Sequence, residues 1–241
     1  MIILIGTGHV FDLSNAINRV FDKKLPDVVC VELDKQRYNA IMIKQNNPDA
    51  FKQSRRNLPF IYRLLARFQD NMASEYGVSA GDEMLAAINY ARSHQIPVEF
   101  IDMNAQQLFT KMWRSMPFIE KFRLLFSGFG GLFVSKKRVE EELKNFQNDF
   151  DSYIEKIGEK FPTIKKTLID QRNAYMVNNL LKLNDEFQTI TACIGDGHIP
   201  GISKLLEENN IEFKTIRLSE LRKIKDSDSS SGQFSFNYNP I

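Results

Sequence analysis

Apolar positions gather in four short β-branched runs: "IILI" (2–5), "DVVCVEL" (27–33), "PVEFI" (97–101) and "TITACI" (189–194). Runs of this length with little alternation fit strands covered on both faces, as in a parallel sheet. A fifth run, "EFKTIRL" (212–218), alternates apolar and polar residues and reads as an edge strand. Between the first runs the period changes to that of a helix. "SNAINRVFDKK" follows the first strand and "KQRYNAIMIKQ" the second, which predicts a β-α-β-α opening unit. From Gln53 to Leu183 the pattern is mostly helical, interrupted by the third strand run. Gly77 and Gly81 break one helix and start another at "AGDEMLAAINYARSH", while Gly128, Gly130 and Gly131 close an aromatic segment before a long polar helix from about Lys136.

The fold class these patterns predict is α/β: a mostly parallel central sheet flanked by helices, with a large helical cap insertion at about 53–96 and 103–187. One domain over 1–224 is expected, followed by a flexible tail, 225–241, which is Ser-, Asp- and Asn-rich and lacks helical periodicity. Within the insertion, phenylalanines at 118, 122, 126, 129 and 133 step by three or four. Such a stripe reads as helix packing, with a dimer surface or a peripheral membrane contact as the alternatives for residues 116–134.

Composition narrows the function classes. A net charge of +2 with 26% charged residues gives no broad basic field, so nucleic acid is not the expected partner. "KQSRR" (52–56) and "SKKR" (135–138) read as solvated faces. Cys30 and Cys193 each sit in an apolar run without metal-knuckle spacing, which predicts buried thiols in a reducing compartment. The opening "MIILIGTGH" lacks a basic leader, and "PFIEKFRLLFSGFGGLFV" carries Glu120, Lys121 and Arg123, so a soluble, cytoplasmic chain without a transmembrane segment is expected.

One local design occurs twice. Residues 5–17, "IGTGHVFDLSNAI", overlay 194–206, "IGDGHIPGISKLL", with Ile, Gly, Gly, His and Ser at the same offsets. In each copy a buried strand runs into Gly-x-Gly-His and then into a helix. Gly6, Gly8, Gly195, Gly197 and Gly201 suit turns and close backbone approach, and His9 and His198 stand at strand carboxyl ends. All such ends lie along one edge of an open parallel sheet, where these folds bind ligands. Glu32 and Asp34 end the second strand, Asp102 ends the third, and Glu83 opens a helix that could point back over the same edge. Imidazoles with carboxylates suit a divalent ion such as Zn, Mn, Co or Fe, so a metal hydrolase is one reading. His94, in "RSHQIP", reads instead as a helix-end residue.

With these residues in view, the chain resembles the TraB/PrgY family, relatives of the Tiki proteins within the erythromycin-esterase and ChaN-like superfamily. The resemblance runs from Ile2 to about Leu218 and is carried by "GTGHV" with Ser14, "PDVVCVELDKQRY", "GDEMLAAINYAR", "QRNAYM" and "GDGHIPGI". It implies a metal-dependent peptidase site built on the two Gly-x-x-His motifs and a glutamate. By position these are His9 and His198 as metal ligands, with Glu83 or Glu32 completing the catalytic site or acting as general base. Arg172 of "QRN", together with Asp102 and Arg37, would hold a peptide or small-molecule substrate, Arg172 by a bidentate grip on a carboxylate. The chain departs from the family where Gln171 replaces a common glutamate and where Asp102-Met103-Asn104 replaces Asp-Arg-Asp. Two competitors share the fold: a non-catalytic peptide-binding or pheromone-shutdown protein, and a metal-free esterase-like enzyme with histidine as base.

Overall fold

In a computed structural model, the described residues are 1–8, 13–47, 81–131, 155–156 and 158–226, without the side chains of 125–131 and 225–226. His9, both basic spots, Gly77, the helix expected from Lys136, Phe133 and residues 227–241 of the tail lie outside them. The elements used below are β1 (Ile2–Thr7), α1 (Ser14–Lys24), β2 (Val28–Val31), α2 (Lys35–Asn46), α3 (Asp82–Ser93), β3 (Val98–Phe100), α4 (Ala105–Ser115) and α5 (Phe118–Gly131). Then follow α6 (Pro162–Lys165), which passes through a π turn (Lys166–Asp170) into α7 (Gln171–Asn184), and β4 (Ile190–Gly195), α8 (Ile199–Glu208), β5 (Phe213–Ile216) and α9 (Leu218–Asp226). Contacts group the chain into two compact units, residues 1–104 with 175–241, and residues 105–174.

The first unit is an α/β sandwich around a five-stranded, all-parallel sheet in the order β3-β2-β4-β1-β5. Strand alternation divides the core. Ile3, Ile5, Val29, Val31 and Cys193 pack under α1, α3 and α9, whereas Ile2, Leu4, Val28, Cys30, Ala192 and Ile194 pack under α7 and α8. Cys30 and Cys193 are therefore buried on opposite faces, and both are free. Burial, before any neighbouring charge, pushes both thiols well above their ordinary range. β5 is an edge strand, as its alternation predicts, but "PVEFI" is the opposite edge rather than a covered strand. Glu99 is exposed at its middle while Val98 and Phe100 are half-buried, so alternation outweighs the apolar count of that run.

Helix ends follow local chemistry. α2 starts on Asp34, whose carboxylate accepts from the Gln36 and Arg37 amides at 2.9 and 3.0 Å. α1 ends with Lys23 and Lys24 against its carbonyl terminus, and Leu25 beyond them takes a left-handed conformation (φ 46°). His94 caps the end of α3, stacked on Tyr90 at 4.1 Å with Nδ1 2.9 Å from the Tyr90 carbonyl oxygen. Among the described residues no helix is long and apolar enough to cross a membrane.

In the second unit α5 turns Glu120 inward, where it accepts from the Thr163 amide at 2.9 Å. Arg123 donates to the Lys160 carbonyl at 2.8 Å, and the Lys121 ammonium lies 5.5 Å from the centre of the Trp113 ring.

Candidate functional site

Connectivity decides where a ligand would find room. α1 leaves β1 on one face and passes over β4 to reach β2, while α8 leaves β4 on the other face and passes over β1 to reach β5. Two neighbouring central strands thus send their chains in opposite directions. Their carboxyl ends, Thr7 and Gly195 in register, flank the crevice where open α/β sheets bind ligands.

Glu32 and His198 meet there. Glu32 follows β2, held in ladder register by its amide bond to the Cys193 carbonyl at 3.0 Å. One carboxylate oxygen accepts the Gly195 amide at 2.5 Å, and the other lies 3.4 Å from His198 Nε2. Both side chains are covered, with 9% of Glu32 and 7% of His198 exposed. His198 reaches this position because β4 runs directly into a 3-10 turn, Asp196–His198, on which α8 starts. A Cβ at Gly195 would come within 3.3 Å of Glu32 Oε2, so the missing side chain makes the close approach possible.

The other expected residues are distributed as follows. His9 lies outside the described residues, although β1, the strand that precedes it, is the neighbour of β4 as a meeting of the two turns requires. Glu83, 1% exposed in the first turn of α3, belongs to the face of Cys193, whose thiol its charge helps to push up. Glu32 has the strand parity of Cys30, on the α7/α8 face. Of the two glutamates that sequence left open, Glu32 is the one in contact with His198. Asp102 is buried at the end of β3 and accepts the adjacent Met103 amide at 2.7 Å. Arg37 is half-buried in the first turn of α2, and Arg172 lies in the second unit, donating to the Leu168 carbonyl at 3.4 Å. Gly197 is part of the 3-10 turn and Gly201 of α8. Among the described residues no group of three or more His, Cys, Asp or Glu side chains has metal-ligand spacing.

Sequence reasoning missed Asp196, the residue between the second pair of glycines. Its carboxylate takes the Arg217 guanidinium in a bidentate grip at 2.9 and 2.8 Å, and one of its oxygens also accepts the Leu218 amide at 2.8 Å. Arg217 precedes α9, and its own amide is taken by Glu220 at 2.9 Å, the return half of a capping box. Arginine has no oxygen to supply the other half. Asp196, in the 3-10 turn after β4, accepts the first-turn Leu218 amide instead and thereby ties the turn that carries His198 to β5 and α9. The same carboxylate fills the space where a Cβ of Gly6 would stand, and Gly8 has Leu218 Cδ2 2.8 Å from its own Cβ position. An acid flanked by glycines was the available signal; its partner 21 positions on was not.

A model of the TraB/PrgY/gumN family matches residues 1–214. The chain is also 26% identical over 233 residues to an uncharacterized protein of Methanocaldococcus jannaschii; that alignment covers 94% of this chain but 59% of its relative.

Proposed function

Because the chain belongs to the TraB/PrgY/gumN family, we propose that it is a metal-dependent hydrolase acting on peptides, centred on Glu32 and His198 with His9 as a further ligand. The observation that carries this reading is the buried Glu32–His198 contact of 3.4 Å at the carboxyl edge of the sheet. Two donors on one cation, each bonded at about 2.1 Å in roughly tetrahedral geometry, stand about this far apart. The donor set suits Zn, Mn, Co or Fe(II). The Gly195 amide holds one oxygen of Glu32 and leaves the other toward His198, the anchoring that a monodentate carboxylate ligand uses. A bound cation would polarise a substrate carbonyl and lower the pKa of a bound water. The chain's own residues fix the imidazole and the carboxylate and screen both from solvent. Glu32 is preferred to Glu83 because it contacts His198.

Metal analysis of purified protein, run beside peptide-library cleavage, tests this. Near-stoichiometric metal is expected in the native protein, with a loss of roughly tenfold or more in metal affinity for Glu32→Gln and His198→Ala. Stoichiometric metal that persists in the His9→Ala, His198→Ala double variant would overturn the ligand assignment. Cleavage that resists chelators would make His198 a general base oriented by Glu32 instead. Saturable peptide binding without turnover over a broad set of divalent ions would make the protein a capture module.

A further inference from the structure

We propose that the aromatic face of α5 docks on an anionic phospholipid surface. A surface helix ordinarily buries its apolar side, and α5 does the reverse at its start. Glu120 is the buried residue, bonded to the Thr163 amide, while Phe118, Ile119 and Phe122 are 83%, 75% and 55% exposed. At about 100° per residue these three share one sector of the helix. Lone exposed apolar residues need no explanation, but two phenylalanines and an isoleucine within a turn and a half form a patch.

Charge selects the occupant. Lys121 and Arg123 fall on either side of the apolar sector, and both have their reach fixed, one over the Trp113 ring and the other on the Lys160 carbonyl. Lys111 and Arg114 on α4 are also exposed. Among the described residues of 105–174, nine Lys and Arg stand against four carboxylates, of which Glu120 is turned inward and Glu155 and Glu159 are exposed. A second copy joined by a two-fold axis would bring the same cations against each other around the apolar centre, a like-charge penalty. A surface of lipid phosphates accepts both features: rings enter the acyl boundary and cations remain among the headgroups.

Vesicle co-sedimentation of the full chain tests this, with phosphatidylcholine alone compared with phosphatidylcholine containing a third phosphatidylglycerol. Trp113, the only tryptophan, gives a second readout through its emission. Binding to the anionic vesicles, weakened at least roughly tenfold by Lys121→Glu with Arg123→Glu and by raised salt, is expected. Phe118→Ser with Phe122→Ser removes binding and the emission shift while leaving circular dichroism and metal content unchanged. Equal sedimentation with both vesicle types, retention of binding in the phenylalanine variant, or a wild-type dimer that this variant converts to monomer without any vesicle binding would each overturn the proposal.

Discussion

Single atoms decide the turns around the site. Gly6→Ala would drive a methyl into the Asp196 carboxylate and to within 3.2 Å of the Leu218 amide. Asp196 is held by Arg217 on two bonds, so the clash is relieved only by moving backbone. A loss of about 1–3 kcal/mol is expected from urea denaturation midpoints at unchanged m-value. A fully stable Gly6→Ala protein would mean that the Asp196 clamp yields easily. The glycine-histidine turn at 195–198 was legible because its signal is local, while His9 of the first copy lies outside the described residues. The Asp196–Arg217 clamp was not, because a carboxylate that caps a distant helix leaves no mark at the capped helix itself. The Glu32–His198 contact was likewise hidden: sequence offers two glutamates of the same chemistry, and only the sheet register brings Glu32 to the turn.

At the scale of elements, α1 and α3 lock to one another through rings and one strong hydrogen bond. Phe21 meets Tyr90 edge-on at 5.0 Å, and the Tyr90 hydroxyl donates to Asp22 at 2.6 Å. Burial first, and then the Asp22 bond, push the Tyr90 phenol up to about 12. Because the folded state keeps the proton more tightly than the unfolded chain, this contribution is complete below pH 10 and fades as pH rises toward 12. Tyr90→Phe is therefore expected to cost about 1–2 kcal/mol at pH 8 and progressively less between pH 10 and 12, as read from denaturation midpoints of both proteins across that range. A constant difference would place the titration elsewhere. The first helix was plain in sequence: "SNAINRVFDKK" became α1 residue for residue, since its apolar positions keep one period between a turn and a basic end. β3 was misjudged because five letters with a central glutamate carry too little period to separate a covered strand from an edge.

For the whole molecule, the order of strands is what sequence does not contain. Parallel sheets let any strand be inserted between any two, and the apolar runs of β1, β2 and β4 are near-equivalent in composition. A chain cut after residue 187 retains the opening unit but lacks β4, whose hydrogen bonds join β1 to β2. It should show no cooperative thermal transition and should bind a hydrophobic dye strongly, whereas a sharp transition in this truncation would mean that β1 and β2 pair directly. The same arrangement bears on biosynthesis. Leu4 and Cys30 emerge from the ribosome long before Ala192, the residue that fills the slot between their strands. At about 5–20 residues per second the wait is on the order of ten seconds, with two apolar ribbons open to any passing chain. Cellular yield should accordingly depend on nascent-chain chaperones and on translation speed between the codons for β2 and β4.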